Sequence, residues 1–223
     1  DPVYAQWRER KEGIYATNGS VLGIVMRSST RTDADPPDLY IFGVPGYFRG
    51  YEVGYAAKAV SPKDCFTWAV LKGHTDNTSG HVTLRSADPF ERPEIHFRYF
   101  EESAQPDADD VRSVVDGVKF VQRIHERLGK DVEIAEHIAP APGEDLETFV
   151  RNNAWGHHAS CTCRIGADGD DRAVLDKDFL VRGTTNLRVV DASNMPAVVS
   201  RNTNAATIMI GEQRADMILE DAS

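Results

Sequence analysis

Hydrophobic residues in the first hundred positions fall into short runs separated by turn residues. The runs are rich in β-branched and aromatic side chains and are bounded by Gly, Pro, Ser and Asn clusters, a pattern typical of β-strands. They lie at residues 21–26, 38–42, 66–71 and 81–85. This pattern predicts a mainly antiparallel sheet.

The hydrophobic period changes near residue 108. Seven apolar residues then recur at helical spacing after an acidic DADD opening: Val111, Val114, Val115, Val118, Val121, Ile124 and Leu128. The spacing predicts an amphipathic helix lying on the sheet. Two more helices are predicted around 146–152 and 205–219, with a strand over 187–190. The predicted fold class is α+β, with helices on one face of the sheet.

Charge and composition narrow the possible partners. The chain has 25 basic and 35 acidic residues, a net charge of −10, which repels nucleic acid and anionic membranes. No apolar run approaches the roughly 20 residues that a membrane helix needs. The three cysteines are too few for a disulfide framework. We therefore expect no nucleic-acid partner and no membrane span, and the compartment stays open, with a soluble cytoplasmic location slightly favoured.

The stretch WGHHASCTC carries the most distinctive chemistry. It holds four zinc-ligand types within seven residues: His157, His158, Cys161 and Cys163. Structural zinc sites usually draw their ligands from two separated segments, so this spacing is unfavourable for zinc. A cysteine nucleophile needs a lowered thiol pKa, whereas free cysteines are most often small buried hydrophobes. A zinc-stabilised binding module built on these four residues is the alternative functional hypothesis.

Three longer stretches carry a family resemblance. HASCTCRIG, LRVVDASNMPAVVSRNTNAATIMIGEQRADMIL and GHVTLRSADPFERPEI together resemble the C-terminal region of the glucose-methanol-choline (GMC) oxidoreductases, a family of FAD-dependent alcohol oxidases and dehydrogenases. The resemblance extends from about Gly19 to Leu219. It implies an enzyme that oxidises an alcohol by hydride transfer to flavin N5, with this chain supplying the substrate pocket.

The resemblance also implies a catalytic pair. His158 matches the family's catalytic histidine at the head of its HPxGTCxMG motif, whereas His157 is only its neighbour. Asn202 matches the second catalytic position, a histidine or asparagine shortly before the last helix. Imidazole has a pKa suited to accepting the hydroxyl proton near neutrality, and an amide can hold the substrate oxygen. The chain departs from the family pattern at Ala159, Cys161, Ile165, Arg201 and Ala206, and Cys161 stands where the family has Gly.

The cofactor-binding positions follow from the same resemblance. Asp191 and Ala192 match the segment whose backbone meets the ribityl and phosphate region of FAD. Thr203, Asn204 and Ala205 begin the last helix, whose N-terminal amides carry partial positive charge that suits a reduced, anionic flavin. No metal ligands are implied.

The domain organisation is expected to follow these roles. Residues 1–182 are predicted to form the substrate-binding domain with the catalytic histidine segment, and residues 183–223 to complete an FAD-binding domain. The chain carries no GxGxxG fingerprint, which family members have in an N-terminal FAD-binding half. We therefore expect the partners to be that half, or a second polypeptide carrying it, and a small alcohol substrate.

Overall fold

The computed structural model describes residues 1–17, 19–73, 75, 77, 79–100, 109–129, 131–134, 136–199 and 203–221. The chain divides into two compact units, Asp1–Ala154 and Trp155–Ser223. The helices are α1 Pro2–Arg10, α2 Tyr55–Val60, α3 Asp109–Leu128, α4 Leu146–Asn153 and α5 Asn204–Asp221. The strands are β1 Leu22–Met26, β2 Leu39–Pro45, β3 Phe66–Lys72, β4 His81–Thr83 and β5 Glu94–His96. Single 3-10 turns lie at Ile14–Ala16 and Ala192–Asn194.

The first unit is organised around an antiparallel sheet in the order β1-β2-β3, and β4 and β5 form a separate antiparallel pair. Alternate residues of β2 face a buried layer, and Leu39 and Ile41 are 2% and 0% exposed. Helix α3 packs against β2 and β3, which confirms the predicted helix on one face of the sheet. The α+β class is therefore confirmed.

The long helix α3 also joins α4 in the core of the first unit. Val111 and Val115 of α3 are buried with Val150 of α4. Asp145 precedes helix α4 as its N-cap, and its side chain accepts a hydrogen bond from the Thr148 amide at 2.8 Å. Such a cap satisfies one amide that has no partner inside the helix, so the sequence itself fixes where α4 starts.

The second unit is mostly irregular before α5. Among its described residues, those that are buried are Leu175, Phe179, Asn194, Met195 and Arg214. The strand predicted over 187–190 is reduced to an isolated antiparallel bridge between Leu180 and Arg188. Phe179, directly before Leu180, has a left-handed backbone with a φ of 62°. The segment that pairs with Arg188 is therefore not extended beyond this one residue pair.

Candidate active site

Three aromatic rings contact one another in series at the start of the second unit. The Trp155 ring meets the His157 ring edge to face, with centroids 4.9 Å apart at 85°. The His157 ring lies nearly parallel to that of His158, with centroids 5.2 Å apart at 20°. Trp155 and His157 are exposed and His158 is half-buried. His158 is therefore the innermost ring of this stack.

The surroundings of His158 favour the neutral form of its imidazole. Burial lowers the pKa of its imidazole below the ordinary 6.5, and the neighbouring charge of a protonated His157 lowers the pKa further. Removing water from an imidazolium favours loss of its proton. At neutral pH the ring is therefore uncharged and able to accept a proton.

Backbone hydrogen bonds fasten the stretch that follows His158 to a second segment. We call residues 155–165 the histidine segment and residues 191–194 the DASN turn. The amides of Cys161, Cys163 and Ile165 donate to the carbonyls of Ala192, Ser193 and Asn194 at 3.3, 2.9 and 3.0 Å. The three bonds run in register and bring the two most distinctive motifs of the sequence side by side.

The DASN turn is held by its own first residue. The Asp191 carboxylate accepts from the Ser193 amide at 2.8 Å and also from the Ser193 hydroxyl. These bonds stabilise the charged carboxylate, so the pKa of Asp191 lies below its ordinary value. The carboxylate thus fixes the backbone of the turn.

Helix α5 begins close to this arrangement and packs against the DASN turn. The first hydrogen bond of the helix runs from the Thr207 amide to the Thr203 carbonyl at 2.9 Å, and the Thr207 hydroxyl donates to the same carbonyl at 2.7 Å. The amides of residues 204–206 precede it and have no acceptor within the helix. Asn204 and Ala205 are exposed residues at this positive helix end.

Asn194 was not singled out by the sequence. It is 1% exposed, and its Nδ2 has no hydrogen-bond acceptor among the described residues. An unpaired buried amide costs about 1–3 kcal/mol. Nothing in the sequence distinguishes Asn194 from the polar residues Asp191 and Ser193 beside it.

The four residues of the zinc hypothesis do not converge. Within the described residues, no group of three or more His, Cys, Asp or Glu side chains is arranged to hold a metal ion. Cys161 and Cys163 are free and half-buried, less buried than the interpretation as small buried hydrophobes predicts. The geometry gives the zinc-stabilised module no support.

The other predicted site residues are placed as follows. The histidine segment, Asp191 and Ala192 are brought together, and Thr203, Asn204 and Ala205 lie at the start of α5. Asn202 lies outside the described residues, as does Arg201.

Within the described ranges, no helix combines the length and the apolar character that a membrane crossing requires.

Two solved structures with a similar fold are oxidases. Formate oxidase of Aspergillus oryzae RIB40, determined in a study of FAD modification, matches with a TM-score of 0.71, 20% identity and coverage of 99% of this chain and 41% of its own. Pyridoxine 4-oxidase from Mesorbium loti matches with a TM-score of 0.58, 23% identity and coverage of 87% and 37%. At these identities the likeness shows the fold.

The sequence comparisons establish the family. The family model described as GMC oxidoreductase, in its C-terminal part, matches residues 76–211, more than half of the chain. Oxygen-dependent choline dehydrogenase of Photobacterium profundum is 32% identical over 222 residues, 97% of this chain and 37% of the relative. Mitochondrial choline dehydrogenase of Mus musculus is 40% identical over 152 residues, 62% of this chain and 23% of the relative. The chain belongs to the GMC oxidoreductase family and spans less than two fifths of the length of these relatives.

GMC oxidoreductases are FAD-dependent, and the second unit has features that fit this cofactor. The partial positive charge at the N-terminal end of α5 suits the negative charge of a reduced flavin. The buried Asn194 Nδ2 is a hydrogen-bond donor without an acceptor among the described residues. Both features adjoin the DASN turn, on the segment that the family resemblance assigns to FAD.

Proposed function

We propose that this chain supplies the catalytic histidine and part of the FAD site of an alcohol oxidoreductase. The observation that carries the proposal is the environment of His158. Its ring is half-buried and held neutral, on a segment bonded to the DASN turn. A neutral imidazole with a lowered pKa is suited to act as a general base near neutrality.

The proposed chemistry divides between this chain and the cofactor. A neutral His158 accepts the substrate hydroxyl proton at a ring nitrogen, which leaves negative charge on the substrate oxygen. When bound, FAD would accept the hydride that leaves the substrate carbon bearing this oxygen. Asn202 donates a hydrogen bond to the substrate oxygen, which orients the alcohol and stabilises its developing charge.

The remaining site residues are proposed to hold the cofactor. The DASN turn, through the backbone at Asp191 and Ala192, faces the ribityl and phosphate region. The amides at Thr203, Asn204 and Ala205 stabilise negative charge near flavin N1 and the C2 carbonyl. Because the Asp191 carboxylate accepts a hydrogen bond from the Ser193 amide, its proposed role is to stabilise the conformation of the DASN turn.

The substrate and the partner are also part of the proposal. We propose a small primary alcohol as substrate, with choline the first compound to test, because the relatives named above are choline dehydrogenases. The N-terminal part of the same protein, or a second polypeptide, supplies the rest of the FAD site. Residues 1–182 would then carry the substrate-binding and catalytic portion and residues 183–223 the portion completing the FAD-binding domain.

Replacing the proposed base tests the assignment. In the complete FAD-containing enzyme, His158→Ala should lower the rate of alcohol-dependent flavin reduction by about 10²- to 10⁴-fold, the usual contribution of a general base. The flavin content, measured by absorbance after denaturation, should stay at the wild-type value. His137→Ala, which removes an exposed histidine of the first unit, is the matched control and should leave the rate unchanged. A His158→Ala enzyme that reduces its flavin at the wild-type rate would refute the assignment.

A further inference from the structure

The ring stack at residues 155–158 is unusual for neighbouring residues. Consecutive side chains of an extended segment point to opposite sides, yet the His157 and His158 rings lie nearly parallel at a centroid separation of 5.2 Å. Trp155 meets the other ring of the pair, that of His157, edge to face at 4.9 Å. His157 is therefore in contact with an aromatic ring on each side.

We propose that His157 is a positioning residue for His158, in which the His157 ring, braced by Trp155, fixes the orientation of the imidazole that accepts the substrate proton. This inference rests on the proposed function of His158. It assigns a role to a residue that the family resemblance leaves as a mere neighbour of the catalytic position.

Ring packing is what makes His157 suited to this role. A stacked neighbour restricts rotation of the His158 side chain and covers one of its faces. Aromatic pairs contribute beyond the area they bury, and small displacements of a catalytic group lower rates strongly. Trp155 is 43% exposed, and its large ring lies edge to face against that of His157.

The charged groups around the stack support the same role. On the histidine segment, His157 lowers the pKa of His158 when protonated, and Arg164 pairs with Asp170 at 2.8 Å. On the DASN turn, the Asp191 carboxylate accepts from the amide and hydroxyl of Ser193. The acid and base groups of the two paired segments thus have partners of their own, and the His157 ring lies directly against the base.

Two substitutions separate ring packing from other roles. In the complete FAD-containing enzyme, His157→Ala should lower the pH-independent rate of flavin reduction by about 2- to 10-fold, the range that an aromatic contact accounts for. His157→Phe keeps a ring on His158 and should restore most of that rate. The control is His81→Ala, because His81 also stacks on a histidine, His96, at 4.6 Å and 24°, but in the separate β4-β5 pair.

Histidine C2 hydrogen exchange, read by mass spectrometry, provides a measurement that does not depend on turnover. In His157→Ala the pKa of His158 should rise toward its ordinary value, because the ring loses both cover and a charged neighbour. The acid limb of the rate profile should move to higher pH in parallel. If His157 only supported the fold and did not act on the His158 ring, the pKa of His158 would stay at its wild-type value in His157→Ala.

The outcomes distinguish the two proposals. If His158→Ala abolishes flavin reduction while His157→Ala matches the wild type in rate and in the pKa of His158, the positioning role is wrong and the proposed function stands. A His157→Phe variant as slow as His157→Ala also contradicts positioning by the ring. If His158→Ala itself has no effect, the proposed function fails first.

Discussion

Cys161 is held in a backbone conformation that favours glycine. Its φ is 71°, in the left-handed region where a side chain is strained. The Cys161 amide nevertheless donates to the Ala192 carbonyl at 3.3 Å, so the conformation is imposed by the pairing of the histidine segment with the DASN turn. The resemblance to the GMC family places glycine at this position, and the backbone gives the physical reason for that preference.

Cys161→Gly should therefore stabilise the protein. Relief of a left-handed side chain is worth about 1–3 kcal/mol and is partly offset by the greater freedom of glycine in the unfolded chain, which leaves a gain of about 1 kcal/mol. The matched control is Cys163→Gly, because Cys163 has no positive φ and should be destabilised by glycine. Thermal unfolding of the two variants measures the difference. A lower midpoint for Cys161→Gly would contradict the strain argument.

The proposed catalytic residues illustrate how much of the site can be predicted from the sequence. His158 and the DASN turn were predicted from motifs, and the structure places their segments side by side. The parallel rings of His157 and His158 could not be predicted, because they depend on side-chain torsions that the residue types leave open. The buried Asn194 amide was missed for a similar reason, since a single polar residue gives no period.

The elements of the first unit follow from hydrophobic periodicity where a buried face exists. Helix α3 was predicted from the helical spacing of its apolar residues, and this apolar stripe packs on β2 and β3. Helix α1 carries no buried residue and is instead started by Asp1, whose side chain accepts from the amides of Val3 and Tyr4 at 2.9 and 3.2 Å. A helix without an apolar stripe leaves no periodic signal, so α1 was not predicted.

Gly117 allows α3 to approach the sheet closely. A Cβ built at this position would lie 2.6 Å from Val70 Cγ1 of β3 and near Leu39 and Ile41 of β2. A separation that short forces a shift of the helix or the side chain. The glycine therefore costs helix propensity but permits the packing of α3 on β2 and β3.

Gly117→Ala should destabilise the chain by about 1 kcal/mol, because an overpacking cost of about 1–3 kcal/mol exceeds the helix-propensity gain of about 1 kcal/mol. In α5, a Cβ at Gly211 meets nothing within 4 Å. Gly211→Ala should therefore raise stability by about 0.5–1 kcal/mol. Urea unfolding of both variants of the 223-residue chain provides the comparison. Equal effects at the two glycines would rule out the close-packing explanation.

A buried carboxylate ties the ends of the three sheet strands together. Asp38, 1% exposed, accepts from the Ser28 amide and hydroxyl at 2.8 and 2.7 Å and from Lys72 Nζ at 2.7 Å. The Ser113 hydroxyl of α3 lies 3.2 Å from that of Ser28. Burial alone would raise the pKa of Asp38, but these hydrogen bonds and the lysine charge outweigh burial and lower it to about 2.

This carboxylate should make the stability of the first unit depend on pH. A pKa that is lower in the folded state gives stabilisation that is complete above the ordinary value of 3.8 and is lost as the pH falls through about 2. Asp38→Asn should cost roughly 2–4 kcal/mol at neutral pH and flatten the loss of stability between these pH values. Asp33→Asn, which breaks an exposed pair with Arg27, should leave the pH profile intact. Identical profiles for wild type and Asp38→Asn would show that Asp38 does not hold the sheet.

At the scale of the whole molecule, the chain accounts for one part of a larger family architecture. It spans 37% of the Photobacterium profundum relative and 41% of the formate oxidase chain. The α+β class was predictable from the hydrophobic periodicity, and the family was predictable because its motifs are long. The substrate was not, because the identity of the alcohol depends on pocket side chains that a motif does not specify.

The central claim is that this chain brings a catalytic base to an FAD-dependent alcohol oxidation. The most direct measurement is anaerobic titration of the complete, flavin-containing protein with choline and other small primary alcohols, followed by the visible absorbance of the flavin. We expect at least one alcohol to bleach the oxidised flavin band, with formation of the corresponding aldehyde. A protein that binds no flavin, or a bound flavin that stays oxidised with every alcohol in the series, would contradict the claim.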